Sequence, residues 1–280
     1  MKNELIMKDV SISFDGKKAL DQLSFEVYEN EIFGFLGPSG AGKTTTIKLL
    51  TKQLKADSGM IELFGEEIDH VSQDTFEKIG ILSDNSGAYE RFSLYDNIKF
   101  FADIRRVDHA RIDELLKRVG LYEDRNKKMK SLSRGMTQRA LIVQAVLHKP
   151  KLLFLDEPTA ALDPSTTKEI HQMLLELNRE GTTIFLTTHR MEEADQLCDR
   201  IAFLNKGHVI ESGSPEELKV KYAKDKMVAV FKENGKVELD KSSEALLKLA
   251  ELSKNDELIT LHTIEPTIED IFLELTKEAA

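Results

Sequence analysis

The sequence contains little cysteine, no long apolar run and no excess of positive charge, and each shortage excludes a class of protein. A single cysteine, Cys198, excludes an internal disulfide bond and a zinc site built from cysteines. It is interpreted as a buried small side chain in a protein of a reducing compartment. Because no run of about 18 apolar residues occurs, no transmembrane helix is predicted. The N-terminus, MKNELIMKDV, mixes charged and apolar residues and lacks the apolar core of a signal peptide.

The charge balance argues against a nucleic-acid partner. The chain has 39 lysine and arginine residues against 49 aspartate and glutamate residues, a formal net charge of −10, whereas nucleic-acid binders usually carry a basic face. An acidic protein can still bind phosphate, because a local cradle of backbone N–H groups holds an anion independently of the overall charge.

Apolar segments alternate with helical patterns, which predicts an α/β fold with parallel strands in its sheet. Near-continuous apolar runs, typical of strands buried on both faces, occur at 31–37, 151–156 and 182–188. Residues 4–28 alternate like antiparallel strands, and residues 202–213 predict a hairpin. The sheet core is therefore expected to be mixed.

Two changes along the chain predict further parts. From about 85 to 150 the pattern becomes helical and is interpreted as an inserted helical subdomain. After about residue 220, a hairpin with an Asn234-Gly235 turn is followed by a helix, a strand and a closing helix, which predicts a small α/β appendage. We therefore expect a main domain over 1–219 and an accessory domain over 220–280.

The stretch GPSGAGKT at 37–44 matches the G-x-x-x-x-G-K-S/T pattern of a phosphate-binding P-loop. The glycines let backbone N–H groups approach phosphate oxygens, and the following helix adds its positive end. Lys43 would reach the β- and γ-phosphates, and the Thr44 hydroxyl would bind Mg²⁺. The alternative is a glycine-rich turn without a ligand. The predicted nucleotide contacts are Gly37, Pro38, Ser39, Gly40, Ala41, Gly42, Lys43, Thr44 and Thr45.

Polar residues end the next two apolar strands, at the edge where ligands bind in such sheets. Asp156 would help to hold Mg²⁺, and Glu157 would accept a proton from the water that attacks the γ-phosphate. The alternative is a solvent-facing acidic turn. His189 would also meet the phosphates, although it could be a surface histidine. The other six histidines are scattered and are interpreted as surface or packing residues.

The segment SLSRGMTQR at 131–139 predicts a helix that begins near Ser133. The start of a helix presents unpaired N–H groups and a partial positive charge, which together favour an anion. Ser133 could also be simply the N-cap of that helix.

Four segments, GPSGAGKTT, SLSRGMTQR, LLFLDEPTAALD and LTTH, occur in this order and resemble the ATP-binding subunits of ABC transporters. The resemblance covers roughly residues 3–215. It implies the P-loop NTPase (ABC ATPase) fold, with ATP and Mg²⁺ as ligands and ATP hydrolysis as the reaction. The segment EPTIEDIFLELT resembles the tail of subunits that serve bacterial exporters of drugs, antimicrobial peptides or polysaccharides.

The resemblance implies two protein partners. A second copy, or a close paralogue, would pack head to tail, so that Ser133 and the N–H of Gly135 face the γ-phosphate in the other copy's P-loop. Asp163 would lie in the loop that crosses this interface, and it could equally be a helix N-cap. A separate transmembrane permease would dock near residues 84–101. The chain would then be cytoplasmic and peripheral on the inner face of the cell membrane.

Other positions carry an expectation or depart from the family pattern. Phe14 stands where relatives place an aromatic ring against adenine, and the alternative is a ring buried in the core. Arg134 and Met136 replace the usual glycine and glutamine, without an expected loss of phosphate binding. Asp84 stands where relatives carry a glutamine. Its carboxylate would bind Mg²⁺ or couple to the partner with slower turnover, or it would be a loop acid remote from the metal.

The sequence is thus interpreted as the ATP-hydrolysing motor of an exporter whose membrane subunit is a separate chain. Two alternatives stay open. One is a non-transport ABC ATPase, for example in cofactor assembly, and the other is a nucleotide-regulated interaction protein without useful turnover. Only Asp84 supports the second alternative.

Overall fold

The chain divides into two units, Met1–Gly213 and Ser214–Ala280, and the computed structural model describes residues 2–83 and 87–278. The strands of the first unit are β1 (Asn3–Phe14), β2 (Lys17–Tyr28), β3 (Ile32–Leu36), β4 (Ser58–Leu63), β5 (Glu66–Glu67), β6 (Ile79–Leu82), β7 (Leu152–Asp156), β8 (Thr183–Thr188), β9 (Arg200–Asn205) and β10 (His208–Gly213). Its helices are α1 (Lys43–Leu50), α2 (Gln73–Phe76), α3 (Leu94–Arg105), α4 (Ala110–Arg118), α5 (Arg134–Val146), α6 (Pro164–Arg179) and α7 (Met191–Leu197), with a 3-10 helix at Met129–Ser131. The boundary expected from the sequence lies a few residues later, at 219/220.

The apolar runs form the centre of a six-stranded sheet with the order β10-β9-β3-β8-β7-β6. Strands β3, β6, β7, β8 and β9 are joined by parallel pairing, and β10 pairs antiparallel with β9. Every residue of β3, β7 and β8 is buried, which explains why these segments read as continuous apolar runs. The predicted α/β fold with a mixed sheet is confirmed.

A second, antiparallel sheet fixes the position of β3. Its strands lie in the order β2-β1-β4-β5, and its apolar side chains share one buried core with β3 and α1. The Phe25 ring of β2 lies 5.7 Å from Phe33, 5.0 Å from Phe35 and 5.8 Å from Phe185, measured between ring centroids. Because each such aromatic pair adds about 0.5–1.5 kcal/mol beyond burial, these contacts stabilise the packing of β2 against β3 and β8.

Ion pairs connect the helical segment to α6. The Arg118 guanidinium, at the end of α4, lies 3.1 Å from a Glu176 oxygen and 3.0 Å from a Glu180 oxygen. On α5, Arg139 lies 2.8 Å from Glu169. These ion pairs join α4 and α5 to the same helix, α6.

Within the described ranges, no helix has both the length and the apolar character needed to cross a membrane.

The second unit contains β11 (Lys226–Phe231), β12 (Gly235–Asp240), β13 (Leu258–Thr263), α8 (Pro215–Lys221), α9 (Ser243–Leu252) and α10 (Ile268–Glu278). The antiparallel sheet has the order β12-β11-β13. Apolar side chains of β11 and β12 form one cluster with Ala245 and Leu249 of α9. The order hairpin, helix, strand and closing helix agrees with the sequence prediction.

The predicted position of the hairpin turn was wrong by one residue. The loop consists of residues 232–234, and Gly235 already pairs with Phe231 as part of β12. The Asp256 carboxylate accepts hydrogen bonds from the N–H groups of Glu233 (3.1 Å) and Asn234 (2.8 Å). Asp256, which is distant in sequence, therefore stabilises a three-residue loop. The Asn-Gly pair alone predicts a two-residue turn instead.

Candidate functional site

The P-loop connects β3 directly to α1 and wraps around the Lys43 side chain. Lys43 is only 6% exposed, and its Nζ donates hydrogen bonds to the backbone oxygens of Gly37 (2.7 Å) and Pro38 (3.2 Å). A buried ammonium group is costly unless it is well paired. The loop therefore holds one positive charge at its centre, next to the N-terminus of α1, where the helix dipole is also positive.

The loop requires glycine for two different physical reasons. Gly40 and Gly42 have φ angles of +80° and +117°, in the left-handed region that side chains with a Cβ rarely adopt. At Gly37 the reason is close approach, since a Cβ there would lie 2.3 Å from the backbone oxygen of Leu204 in β9. The first glycine of the motif thus packs the loop onto the sheet.

This difference predicts unequal effects of alanine at the two glycines. Gly37→Ala must displace a sheet backbone and should cost about 3 kcal/mol of unfolding free energy. Gly40→Ala should cost only about 1–2 kcal/mol, because a Cβ at Gly40 meets no atom within 4 Å. Urea unfolding of the full chain without nucleotide measures both values. Equal losses would contradict the close-packing role of Gly37.

Thr44 and Asp156 bring a hydroxyl and a carboxylate together, and both are oxygen groups of the kind that Mg²⁺ prefers. The Thr44 hydroxyl donates a hydrogen bond to one Asp156 oxygen at 3.0 Å, and the Thr187 hydroxyl donates to the other. In the described part of the chain no group of three or more histidine, cysteine and acidic residues could hold a metal. One carboxylate plus a hydroxyl fits Mg²⁺ bound mainly through phosphate oxygens. Asp84, the third predicted metal ligand, lies outside the described residues.

Glu157 is held between two groups that sequence analysis also assigns to the site. One carboxylate oxygen lies 3.5 Å from Lys43 Nζ, and the other accepts a hydrogen bond from His189 Nδ1 at 2.9 Å. The Glu157 backbone has a φ of +47°, and its N–H donates to the Thr187 oxygen at 3.0 Å. A non-glycine residue in the left-handed region is uncommon, so this turn places the carboxylate at the mouth of the P-loop at a cost in backbone energy.

Ser133 and Asp163 both act as helix N-caps. The Ser133 oxygen accepts from the N–H of Met136 at 3.2 Å, and one Asp163 oxygen accepts from the N–H of Thr166 at 3.0 Å. The Thr166 hydrogen bonds hold the pKa of the Asp163 carboxyl below its usual range. A Cβ at Gly135 would lie 2.9 Å from Thr166 Cγ2, so the starts of α5 and α6 are in close contact.

The residues of the predicted site therefore fall into two groups, and only one of them is connected within a single copy of the chain. The P-loop, Asp156, Glu157 and His189 form one connected group. Among the described residues, no hydrogen bond or ion pair joins Ser133, Gly135 or Asp163 to that group. Phe14 ends β1 with its ring 45% exposed, so burial in the core is excluded for this ring. Of the remaining loop residues, Ala41 is buried, Thr45 is half-buried and Pro38 and Ser39 are exposed.

A buried hydrogen-bond network next to Glu157 and His189 was not predicted from the sequence. Glu193 of α7 accepts hydrogen bonds from the hydroxyls of Thr159 and Thr188 and from His171 Nε2. From the sequence, no role was predicted for Glu193, and His171 was assigned to surface or packing. The two threonines were a usable signal, because a buried hydroxyl next to a strand end needs a partner.

Comparisons with known proteins agree with this geometry. Residues 20–160 match the family model described as ABC transporter. A fluoroquinolones export ATP-binding protein of Mycobacterium tuberculosis (strain CDC 1551 / Oshkosh) is 35% identical over 264 residues, which cover 92% of this chain and 87% of that protein. The bacitracin transport ATP-binding protein BcrA of Bacillus licheniformis is 37% identical over 213 residues, 75% of this chain and 70% of that protein.

The fold has close counterparts among solved structures. The cbiO1 protein from Clostridium perfringens, part of the ABC transporter complex cbiONQ, superposes with a TM-score of 0.70 at 30% sequence identity. The match covers 79% of this chain and 92% of that one.

Proposed function

Because this chain belongs to the ABC transporter family as an ATP-binding subunit of exporter type, we propose that two copies close around two ATP molecules and hydrolyse them to drive a separate permease. ATP binding and hydrolysis are the general activity of the family. The observation that carries the proposed site is the position of Glu157, between Lys43 and His189 at the mouth of the P-loop.

The residues around the P-loop divide the work of hydrolysis. Backbone N–H groups of the loop and the Lys43 ammonium bind the β- and γ-phosphates. Thr44 and Asp156 would hold Mg²⁺, which when bound neutralises negative charge that develops on the phosphates. Glu157 accepts a proton from the attacking water. The water oxygen bonds to the γ-phosphorus while the bond to the β–γ bridging oxygen breaks, and the products are ADP and phosphate.

The start of α5 supplies the second half of the proposed nucleotide site, in the partner copy. Ser133 and Arg134 are exposed, and the first turn of α5 contains no acidic residue. An exposed helix start with an added arginine attracts a phosphate. Asp163 is exposed at the start of α6, where it would meet the partner, and the exposed ring of Phe14 would stack on adenine.

An exposed aromatic cluster supports permease docking on the helical segment. The Tyr89 ring lies 5.4 Å from Phe92 and 5.4 Å from Phe100 between ring centroids, and all three side chains are exposed. Exposed apolar patches mark protein contact sites. ATP-binding subunits of this family work with membrane permease subunits, so we place the chain on the cytoplasmic face of the membrane. We assign export as the direction of transport because relatives are named for export.

The experiment is ATP-dependent dimerisation of the full chain carrying Glu157→Gln, which slows turnover. Light scattering after gel filtration should show a dimer with MgATP and a monomer without it. Adding Ser133→Asp keeps a good N-cap but places a carboxylate against the partner's γ-phosphate. Since like charges in contact cost several kcal/mol, we expect the ATP concentration for half-dimerisation to rise more than about tenfold.

The matched control is Ser242→Asp, because Ser242 caps α9 in the second unit by the same bond, to the N–H of Ala245 at 3.1 Å. The control should dimerise like its parent. A chain that binds MgATP but stays monomeric would contradict the proposed sandwich. Equal dimerisation of both aspartate variants would remove Ser133 from it.

A further inference from the structure

One buried carboxylate connects the two loops that carry Glu157 and His189. Glu193 is 2% exposed and accepts a hydrogen bond from the Thr188 hydroxyl at 2.7 Å and another from the Thr159 hydroxyl. Thr188 directly precedes His189, and Thr159 follows Glu157 by two positions. Each bond therefore restrains a residue that lies one or two positions from a member of the pair.

Arg190 strengthens the same connection. Its backbone N–H donates to the Thr188 hydroxyl oxygen at 3.0 Å, and its guanidinium donates to the Thr159 hydroxyl oxygen at 3.3 Å. The two threonine hydroxyls thus each accept one hydrogen bond and donate another to Glu193. Networks in which every member is satisfied are rigid, because shifting one group breaks several bonds in a low-dielectric interior.

The hydrogen bonds around Glu193 favour its ionised form. Burial alone would raise the pKa of this carboxyl, but the hydrogen bonds from His171, Thr159 and Thr188 outweigh burial and hold the pKa below its usual range. A carboxylate accepts all these bonds, whereas a carboxamide presents two N–H donors on one side. Loss of the charge would therefore rearrange the network even where the shape of the side chain is kept.

The network also reaches α6. His171 Nε2 donates to Glu193 at 2.9 Å, and His171 lies in the middle of α6. The same helix begins with Asp163 at its N-cap and contacts the start of α5 through Thr166 and Gly135. Glu193 is thus bonded to both loops of the Glu157–His189 pair and to the helix that starts at the proposed partner-facing loop.

We propose that Glu193 is a positioning residue for ATP hydrolysis. Its carboxylate sets the distance between Glu157 and His189 and links that pair to α6. Closure of the partner copy at Asp163 is thereby transmitted through α6 to the site of proton transfer. The inference rests on the proposed roles of Glu157 and His189. It adds to them a residue that is only 2% exposed and acts through the two neighbouring loops.

The test compares Glu193→Gln with Glu31→Gln in the full chain. Glu31 is also buried, at 7% exposure, and accepts bonds from the Tyr28 N–H (2.7 Å) and Arg200 (3.1 Å). It precedes β3, at the opposite end of the strand from the P-loop. Both variants should melt at a lower temperature than the wild type, because each disturbs a buried carboxylate. Only Glu193→Gln should also lose kcat.

The expected loss for Glu193→Gln is about 10- to 100-fold in kcat, since a displacement of about 1 Å at a reacting group has an effect of this size. The dissociation constant for a fluorescent ATP analogue should stay at the wild-type value, because the network does not contact the P-loop lysine. A kcat equal to that of Glu31→Gln would overturn the proposal and leave Glu193 a structural residue. A parallel loss of nucleotide affinity and kcat would also overturn it.

Thr188 provides a second test if Glu193→Gln fails to fold. Thr188→Val keeps the shape but removes the hydroxyl, and it should lower kcat without changing nucleotide affinity. Thr188→Ser restores the hydroxyl and should recover most of the rate. Equal rates for the two Thr188 variants would overturn the proposal. Failure of the proposed function is distinguishable, because then Glu157→Gln would itself keep the wild-type kcat.

Discussion

Replacing Glu157 with glutamine should lower kcat for ATP hydrolysis by about 10²- to 10⁴-fold while ATP binding stays intact. Glutamine has nearly the same size and accepts the His189 Nδ1 hydrogen bond through its amide oxygen, but it cannot take up a proton from water. The P-loop contacts of Lys43 to Gly37 and Pro38 do not involve Glu157 and should persist. The variant should therefore accumulate with ATP bound.

Two measurements separate this result from a folding defect. Steady-state phosphate release gives kcat, and equilibrium binding of a fluorescent ATP analogue gives the affinity. Glu192→Gln is the matched control, because Glu192 is an exposed glutamate on α7 close in sequence to His189, and it should behave like the wild type. Rapid hydrolysis by Glu157→Gln would exclude Glu157 as the proton acceptor.

The parts of the site that the sequence predicts are those encoded by neighbouring residues. The P-loop needs glycines and a lysine at fixed spacing on one strand–helix connection, so 37–44 can be recognised without a structure. Asp156 ends an apolar strand and Glu157 follows it, and parallel strands place their carboxyl ends together. The structure accordingly places Glu157 within 3.5 Å of Lys43.

Features that depend on contacts between distant residues could not be predicted in the same way. The Glu193 network joins residues of β8, α6 and α7 and of the loop after β7, and neither Glu193 nor His171 belongs to a motif recognised in the sequence. The loop at 232–234 is set by Asp256, which is more than 20 positions away. For Ser133 the missing information is different, because the anion proposed for it belongs to another copy of the chain.

The Glu193 network also accounts for the close approach of His189 and Glu157, although both side chains are partly exposed. The His189 and Glu157 side chains are themselves half-buried to exposed, so solvent alone would allow several rotamers. Fixing Thr188 and Thr159 removes backbone freedom on both sides of the pair. The two loops therefore lose their conformational entropy on folding, before ATP binds. This is the condition for a preorganised site.

Replacing Lys43 with methionine should weaken both ATP binding and hydrolysis, and the loss in hydrolysis should be about 10²- to 10³-fold. Methionine fills the space of the alkyl chain but has no ammonium group to attract the β- and γ-phosphates. Glu157 would lose its cationic neighbour at 3.5 Å and keep only the His189 contact. The backbone oxygens of Gly37 and Pro38 would lose a donor, which should lower stability by about 1–3 kcal/mol.

The control is Lys48→Met, which removes a half-buried lysine from the same helix without touching the loop. It should bind and hydrolyse ATP like the wild type. Comparison with Glu157→Gln then separates two functions of adjacent side chains. Lys43→Met should lose affinity and rate together, while Glu157→Gln should lose rate alone. If both residues act on one transition state, the double variant should be little slower than the slower single variant, because groups that act as a unit are not additive.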